Sequence, residues 1–566
     1  MKRLRAAASA LALMLCTLLA LGQPAAHADT YASISGSGST WSANAIQQWI
    51  ASVHKYGMTV SYNDNASTQG RQQFKDGVTD FGVSEIPYGT TEFGVREAPP
   101  KRGYAYMPIV AGGTAFMYNL KIGGKRVTNL RLSGNTVAKI FTGAIKNWND
   151  PQIRHDNPRL TLPSRKIIPV VRAEGSGSTA QFTLWMSKQQ GSLWNAYCKR
   201  AGKPTPCGET SDFPVIPGTG FIAQQGSLGV SGYIRQDYSE GAIGYDEYSY
   251  ALTSGFPVAK VENAAGYYTE PTASNVAVAL TKARINTNKG SSEYLTQILD
   301  DVYTFRDPRT YPLSSYSYII LPTKLESPLT EAKGKTLAAF GYYFLCQGQA
   351  QADPLGYSAL PINLVQAGFD QLRKIPGAVA QTIDLKGCHN PTFSTDGTNT
   401  LVKNAPFPKP CDKDGNDQCT DGTAGASNQK TPLKPISGSS GNGGSGGTGN
   451  GTGTTNGGAT AGSGATTGGA SGGTSGAGAT GGSSGAGGSS GGAVDPDTGL
   501  AGGDSTGTTG GDQDVTASEV TVGSEPFGGL RTWLMGLSAL LLLLVVLAPP
   551  TIAHRITGKG RRDERA

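Results

Sequence analysis

The chain has 566 residues, with 48 Lys and Arg against 41 Asp and Glu, a formal net charge of +7, and 80 glycines. Its basic residues are scattered rather than clustered and no nucleic-acid motif accompanies them, so a nucleic-acid partner is excluded. Only 37% of the residues are hydrophobic, too few for the whole length to form packed cores.

Residues 1–28 begin with Lys2, Arg3 and Arg5, continue through an apolar run to Leu21, and end in Ala26-His27-Ala28. This is the pattern of a secretory signal peptide, with the mature chain starting at Asp29. Cys16 follows Leu13-Met14-Leu15 rather than the small residues that precede a lipidated cysteine.

The body follows, from 29 to 410, long enough for two lobes with cores of their own. The pentapeptide Gly-Ser-Gly-Ser-Thr opens it at 36–40 and returns at 175–179. The first copy leads into a predicted helix with Ala45, Ile46, Trp49 and Ile50 on one face; the second leads into Ala180 to Met186 with the same patterning. Small residues ahead of a helix leave backbone N–H groups open, and these attract an anion together with the helix dipole. Ser and Thr hydroxyls add donors that rotate to suit a tetrahedral oxyanion. A single copy is explained by capping alone. Two copies, one in each half, point to one anion held between two lobes.

Between and after these copies, strands and helices alternate. Thr59 to Tyr62 is a predicted strand, Gln69 to Asp76 a helix, and Asp80 to Ser84 a short buried strand. Tyr106 to Val110 and Thr114 to Tyr118 are two further strands; Asn135 to Phe141 is a helix; Ile167 to Val171 and Gly241 to Tyr245 are strands. This order predicts α/β lobes with mostly parallel sheets and ligands at the strand ends.

Six cysteines remain after removal of the signal: Cys198, Cys207, Cys346, Cys388, Cys411 and Cys419. In an exported chain an even number implies disulfides. Proximity favours Cys198 with Cys207 and Cys411 with Cys419, leaving Cys346 with Cys388; the sequence does not settle the connectivity. No histidine stands at zinc-ligand spacing. The acidic loop Asp412, Asp414, Asn416, Asp417 lacks the Gly and Glu positions of an EF-hand and reads as a solvated turn. No metal and no cofactor is expected.

Residues 411–435 are expected to form a disulfide loop and linker, and 436–530 a tether dominated by Gly, Ser, Thr and Ala. Its low-complexity part is too polar to bury a core and spans roughly 50 Å as a flexible coil. Within 531–553 lies an uncharged apolar run from Trp533 that is long enough to cross a bilayer as a helix. Arg555, Lys559, Arg561, Arg562 and Arg565 follow it in the tail 554–566, so the tail is expected in the cytoplasm and the body outside.

From about Ile34 to Ala367 the chain resembles the phosphate-binding protein of the high-affinity phosphate ABC importer. The resemblance is carried by Gly36-Ser37-Gly38-Ser39-Thr40-Trp41, by Tyr62 through Thr68 leading to Asp80-Phe81-Gly82-Val83-Ser84, and by Leu132 through Pro151. Val170-Val171-Arg172-Ala173-Glu174-Gly175-Ser176-Gly177-Ser178, Gly241 to Tyr245 with Glu247-Tyr248, and Tyr311 through Ser315 complete it. The resemblance implies an α/β, two-lobed periplasmic-binding-protein-like (type II) fold with a hinge, here followed by a disordered tether and one transmembrane helix. Lobe 1 would comprise 29–118 and 319–410, and lobe 2 would comprise 119–318.

By motif position, the resemblance assigns inorganic phosphate to Thr40, Trp41, Ser67, Glu85, Arg172, Ser176, Gly177 and Ser178. Arg172 would be the cation, oriented by Glu174. Glu85 stands where the family has aspartate: a carboxylate that accepts a proton from phosphate and repels unprotonated sulfate. Trp41, Glu174 and Ser178 likewise replace the family's phenylalanine, aspartate and threonine. The implied partners are ABC permease subunits in the membrane, and a monomer is the expected state of a hinged binder. No phosphate-loop motif, nucleophile elbow or triad spacing is present, so no enzyme is expected. The competing reading from another class is a membrane-tethered surface receptor or adhesion protein that keeps the fold without transport.

Overall fold

The computed structural model describes residues 31–434, apart from 383, 385, 386 and 395. The signal segment, the tether from 436, the apolar run within 531–553 and the basic tail lie outside the described residues. Among the described residues no helix is long and apolar enough to cross a membrane.

Numbering strands of three residues or more, the first lobe opens with β1 (Ile34–Gly38), then α1 (Ala43–His54), β2 (Val60–Asn63), α2 (Ser67–Lys75) and β3 (Phe81–Ser84). β1 pairs in parallel with both β2 and β3. α1 follows its predicted stripe, burying Ala45, Ile46, Trp49 and Val53. Trp49 stacks on Phe344 at 5.1 Å and donates its indole N–H to Gly348 O.

β4 (Tyr104–Tyr118) then leaves this lobe, and the second is built from β5 (Ile168–Arg172), α3 (Gly177–Gln189), β6 (Ile222–Gln224), α4 (Gly226–Ile234), β7 (Ala242–Glu247) and β8 (Val258–Glu262). β9 (Ser314–Pro322) returns the chain, and α5 (Glu331–Leu345) packs back on the first lobe. Each lobe has parallel strands, as expected, but one sheet runs through both in the order β6-β5-β7-β4-β9-β3-β1-β2. β4 pairs antiparallel with β9 from Tyr104 to Gly113 and with β7 from Thr114 to Tyr118.

β4 corrects one expectation. Tyr106 to Val110 and Thr114 to Tyr118 are a single 15-residue strand, not two. Gly112 and Gly113 suggest a break to the eye, yet their role is steric. A Cβ on Gly112 would lie 2.6 Å from the Trp41 ring, and one on Gly113 2.4 Å from Pro271. Both glycines let other side chains approach the strand where it passes from one lobe to the other.

In the second lobe Phe116, Phe141, Phe182 and Tyr245 pack with ring centroids 4.8–5.7 Å apart, in a hydrophobic core continuous with that of the first lobe. The disulfides are Cys198–Cys207, Cys346–Cys388 and Cys411–Cys419.

Residues 405–434 are not a free linker, although 413–417, inside the loop closed by Cys411 and Cys419, is the exposed turn expected of it. They form a strap on the second lobe: Asn129 donates to Cys419 O, Gln418 to Asn129 O, Thr128 N to Thr431 Oγ1, and Thr423 to Val258 O. Asp412 is buried and pairs with Lys260 at 2.7 Å. Polar side chains that read as solvent-facing are here used to cap strand edges of the lobe.

Candidate functional site

The C-terminal ends of the parallel strands face each other across the two lobes. Ser39 follows β1, Glu85 follows β3, Arg172 ends β5, and Asp246 lies near the end of β7. This is where ligands gather in open α/β sheets. Helices α1, α2, α3 and α4 begin here as well. α2 starts from Ala66, held at a φ of 97° with its N–H on Gly38 O. That strained backbone, worth about 1–3 kcal/mol, places Ser67 at the helix start.

Glu85 organises the first-lobe side. Its Oε1 accepts from Ser39 Oγ (2.7 Å) and Ser317 Oγ (2.6 Å), and its Oε2 from Ser67 Oγ (2.8 Å). From the second lobe, Gly177 N donates to Ser67 Oγ at 3.0 Å and Gln181 Nε2 to Glu85 O at 3.0 Å. Thr68 N donates to Gly175 O.

Arg172 organises the other side, with its side chain 1% exposed. Nη2 donates to Glu174 Oε1 and, at 2.8 Å, to Thr40 Oγ1 of the first lobe. Nη1 donates to Ser178 Oγ (3.2 Å) and Ser227 Oγ (3.4 Å) and stands 3.9 Å from Asp246 Oδ1. Burial works against the guanidinium's charge, but Asp246 and Glu174 more than offset it and raise its pKa. Glu174 is held in place by Gly226 N at the start of α4.

Six of the eight sequence-assigned residues therefore take part in two hydrogen-bond networks, each of which spans the lobes: Ser67, Glu85 and Gly177 in one, Thr40, Arg172 and Ser178 in the other. The other two face them through backbone and caps. Trp41 donates its N–H to Ser39 Oγ (3.0 Å) while its ring packs on Tyr357. Ser176 caps α3 by accepting from Ser178 N at 3.1 Å.

Ser39, Ser317, Ser227, Gln181 and Asp246 are additional members that sequence reasoning missed. Ser227 had a local signal, since Gly226-Ser227 opens a helix as the repeated pentapeptide does. Asp246 stands beside the quoted Gly241 to Tyr245 stretch. Ser317 carries no signal, because it arrives by the return strand.

Among the buried polar atoms here that have no hydrogen-bond partner among the described residues are the donor Arg172 Nε and the acceptor Asp246 Oδ2. A guanidinium N–H in reserve suits an anion, and an acceptor in reserve suits a proton. Among the described residues no group of His, Cys, Asp or Glu is placed to hold a metal ion.

The PBP superfamily domain model matches residues 23–347. The phosphate-binding protein PstS of Xylella fastidiosa (strain Temecula1) is 30% identical over 344 residues, covering 61% of this chain and 85% of that protein. The chain belongs to the PBP superfamily and to its PstS family. The PstS of Haemophilus influenzae is also 30% identical, over 59% of this chain and 90% of its own length, and the PstS2 of Mycobacterium bovis is 29% identical over 59% and 85%. The ancestral soluble variant of the human phosphate binding protein overlaps loosely, at 17% identity and a TM-score of 0.45, over 61% of this chain and 99% of that one.

This PstS-family chain sets one guanidinium beside the carboxylates of Glu174 and Asp246, with the buried carboxylate of Glu85 on the first-lobe side. Such a site is short of positive charge. An anion that enters must bring hydrogen to share, or the carboxylates must gain it.

Proposed function

We propose that the chain binds inorganic phosphate outside the cytoplasm and hands it to the permease of an ABC importer. The observation that carries this reading is the placing, at facing strand ends of the two lobes, of a buried Arg172 on one side and a buried Glu85 carboxylate ringed by hydroxyls on the other. The cation and helix N-termini attract an oxyanion, and the carboxylate accepts a hydrogen that phosphate retains near neutral pH and sulfate lacks. Thr40, Ser67, Ser176 and Ser178 supply hydroxyls, Trp41 and Gly177 supply N–H groups, and Arg172 supplies the charge. On capture, bonds such as Ser67 to Gly177 and Thr40 to Ser227 are exchanged for bonds to phosphate oxygens. The PstS names of its relatives support the ligand; the fold supplies two lobes around a hinge at β4 and β9. The work is binding and release, with no bond made or broken.

On this proposal the body is exported by the signal 1–28, acts as a monomer, and is held by a transmembrane helix within 531–553 through the tether 436–530. Calorimetry on the purified full chain, with phosphate and then sulfate, tests the assignment. Heat from phosphate alone is the expected result. Heat from neither would favour the tethered receptor that keeps the fold without transport.

A further inference from the structure

Asp246 takes no part in the ligand set read from the sequence, yet it ends a chain of hydrogen bonds that passes through two anion-facing groups. Ser227 Oγ donates to Asp246 Oδ1 at 2.7 Å, and Glu247 N donates to the same oxygen at 2.8 Å. A hydroxyl has one hydrogen, so the 2.7 Å contact between Thr40 Oγ1 and Ser227 Oγ requires Thr40 to be its donor. Thr40 Oγ1 in turn accepts from Arg172 Nη2. The hydrogens thus run from Arg172 through Thr40 and Ser227 to Asp246, and both hydroxyl hydrogens point toward the carboxylate. With Asp246 ionised, neither Thr40 nor Ser227 has a hydrogen to give an anion.

We infer that Asp246 is the positioning residue of the site: when it takes a proton from solvent, the relay reverses and Thr40 and Ser227 turn their hydrogens to the bound phosphate. The proton is placed on Oδ1, which becomes the donor to Ser227 Oγ. Ser227 then donates to Thr40 or to a phosphate oxygen, and Thr40 to a phosphate oxygen. The same proton removes one of the two negative charges beside Arg172, so phosphate capture carries uptake of one proton beyond whatever phosphate itself gains or loses. This rests on the reading of the site as a phosphate site.

The surroundings fit such a group. Asp246 is 3% exposed, and its Oδ2 has no hydrogen-bond partner among the described residues. The groups facing it are Arg172 of β5 with Glu174 just beyond, Glu247 on its own strand, and the phenols of Tyr250 and Tyr357. Burial pushes its pKa up to about 6, against the pull of Arg172 and the bonds from Ser227 and Glu247 N. Arriving phosphate adds negative charge and raises it further.

The test is phosphate calorimetry of the full chain and of Asp246→Asn at pH 8, in buffers of different ionisation enthalpy, which counts protons taken up on binding. The expected result is close to one proton more in the wild type, because the phosphate contribution cancels between the two proteins. The ratio of wild-type to variant Kd should also grow with pH above 6, by up to about tenfold per unit. Phosphate binding with equal uptake in both proteins overturns the role of Asp246 while leaving the phosphate site standing. No binding by the wild type overturns both. Should the variant fail to fold, infrared difference spectra of the wild type decide: a protonated-carboxyl band appearing on phosphate addition at pH 8 supports the relay, and its absence refutes it.

Discussion

A methyl group placed on Gly177 would lie 1.8 Å from Oε2 of Glu85, which belongs to the opposite lobe. The glycine is therefore required by approach rather than by backbone angle: it lets the start of α3 reach the carboxylate of the first lobe. Gly177→Ala should leave each lobe folded and hold them apart at the site. Phosphate affinity should fall by about tenfold or more, equivalent to at least about 1.4 kcal/mol, while the far-ultraviolet circular dichroism stays that of the wild type. Unchanged affinity in titration calorimetry would show that capture does not need this approach.

Glu85 accepts three hydroxyl hydrogens and, on the proposed function, is the acceptor that distinguishes a protonated from an unprotonated oxyanion. Glu85→Gln removes the charge and adds N–H donors. Sulfate should then compete with phosphate, and the phosphate-to-sulfate affinity ratio should shrink by about tenfold or more. Competition calorimetry reads the ratio directly, and an unaltered ratio would place selectivity elsewhere.

Much of this site could be read before the fold was seen, for a local reason. Arg172, Ser176, Gly177 and Ser178 lie in one short stretch, 172–178, and Thr40 and Ser67 stand at helix starts marked by small residues. A strand end followed by a helix start is short-range information. Asp246 and Ser317 were not legible because their place depends on β7 and β9 meeting β4 and β3, pairings between residues far apart in the chain. The crossing strand was misread for a related reason. Gly112 and Gly113 resemble a turn unless one knows that Trp41 and Pro271 press against them. Residues 411–435 read as a disulfide loop and linker because a strap that caps strand edges is polar, as a solvated loop is.

Arg172→Lys should bind phosphate far more weakly than the wild type, despite keeping the charge. Lysine has no planar fork to hold Thr40, Glu174, Ser178 and Ser227 together. Arg172→Ala should lose capture altogether and also lower stability, since Glu174 and Asp246 would keep their burial and lose their cation. The cost of stranding such groups is about 2–5 kcal/mol. Calorimetry and thermal unfolding separate the two effects, and near-normal affinity in either variant would remove Arg172 from the site.

Glu209, beside Thr210 and Ser211 on the second lobe, offers a pH prediction unconnected with phosphate. Burial foremost, then the nearby Glu92, raises its pKa to about 8 from 4.5. Between those values the folded chain holds a proton that the unfolded chain has released, so the group's contribution to stability falls as pH rises from 4.5 to 8. The side chain keeps partial access to solvent, which discounts the effect to about 2 kcal/mol. Glu209→Gln should therefore unfold at a higher temperature than the wild type at pH 8 and at nearly the same temperature at pH 4. A gain of equal size at both pH values would mean that its ionisation is not the cause.

The strap gives the last test, because its attachment is spread along its length while one cross-link closes its loop. Cys411 and Cys419 are eight residues apart, and the loop they close presents Cys411 O to Arg131 and Cys419 O to Asn129. Opening so short a loop returns about 2–3 kcal/mol of chain entropy to the unbonded state. Replacing both cysteines with serine should loosen the strap first, since the lobe beneath is held by the packing of Phe116, Phe141, Phe182 and Tyr245. Amide hydrogen exchange should accelerate across 411–431 and at Thr128, whose N–H is held by Thr431, while β5 and β7 keep their protection. Exchange that quickens equally in β5 and β7 would instead make the strap part of the lobe's cooperative unit.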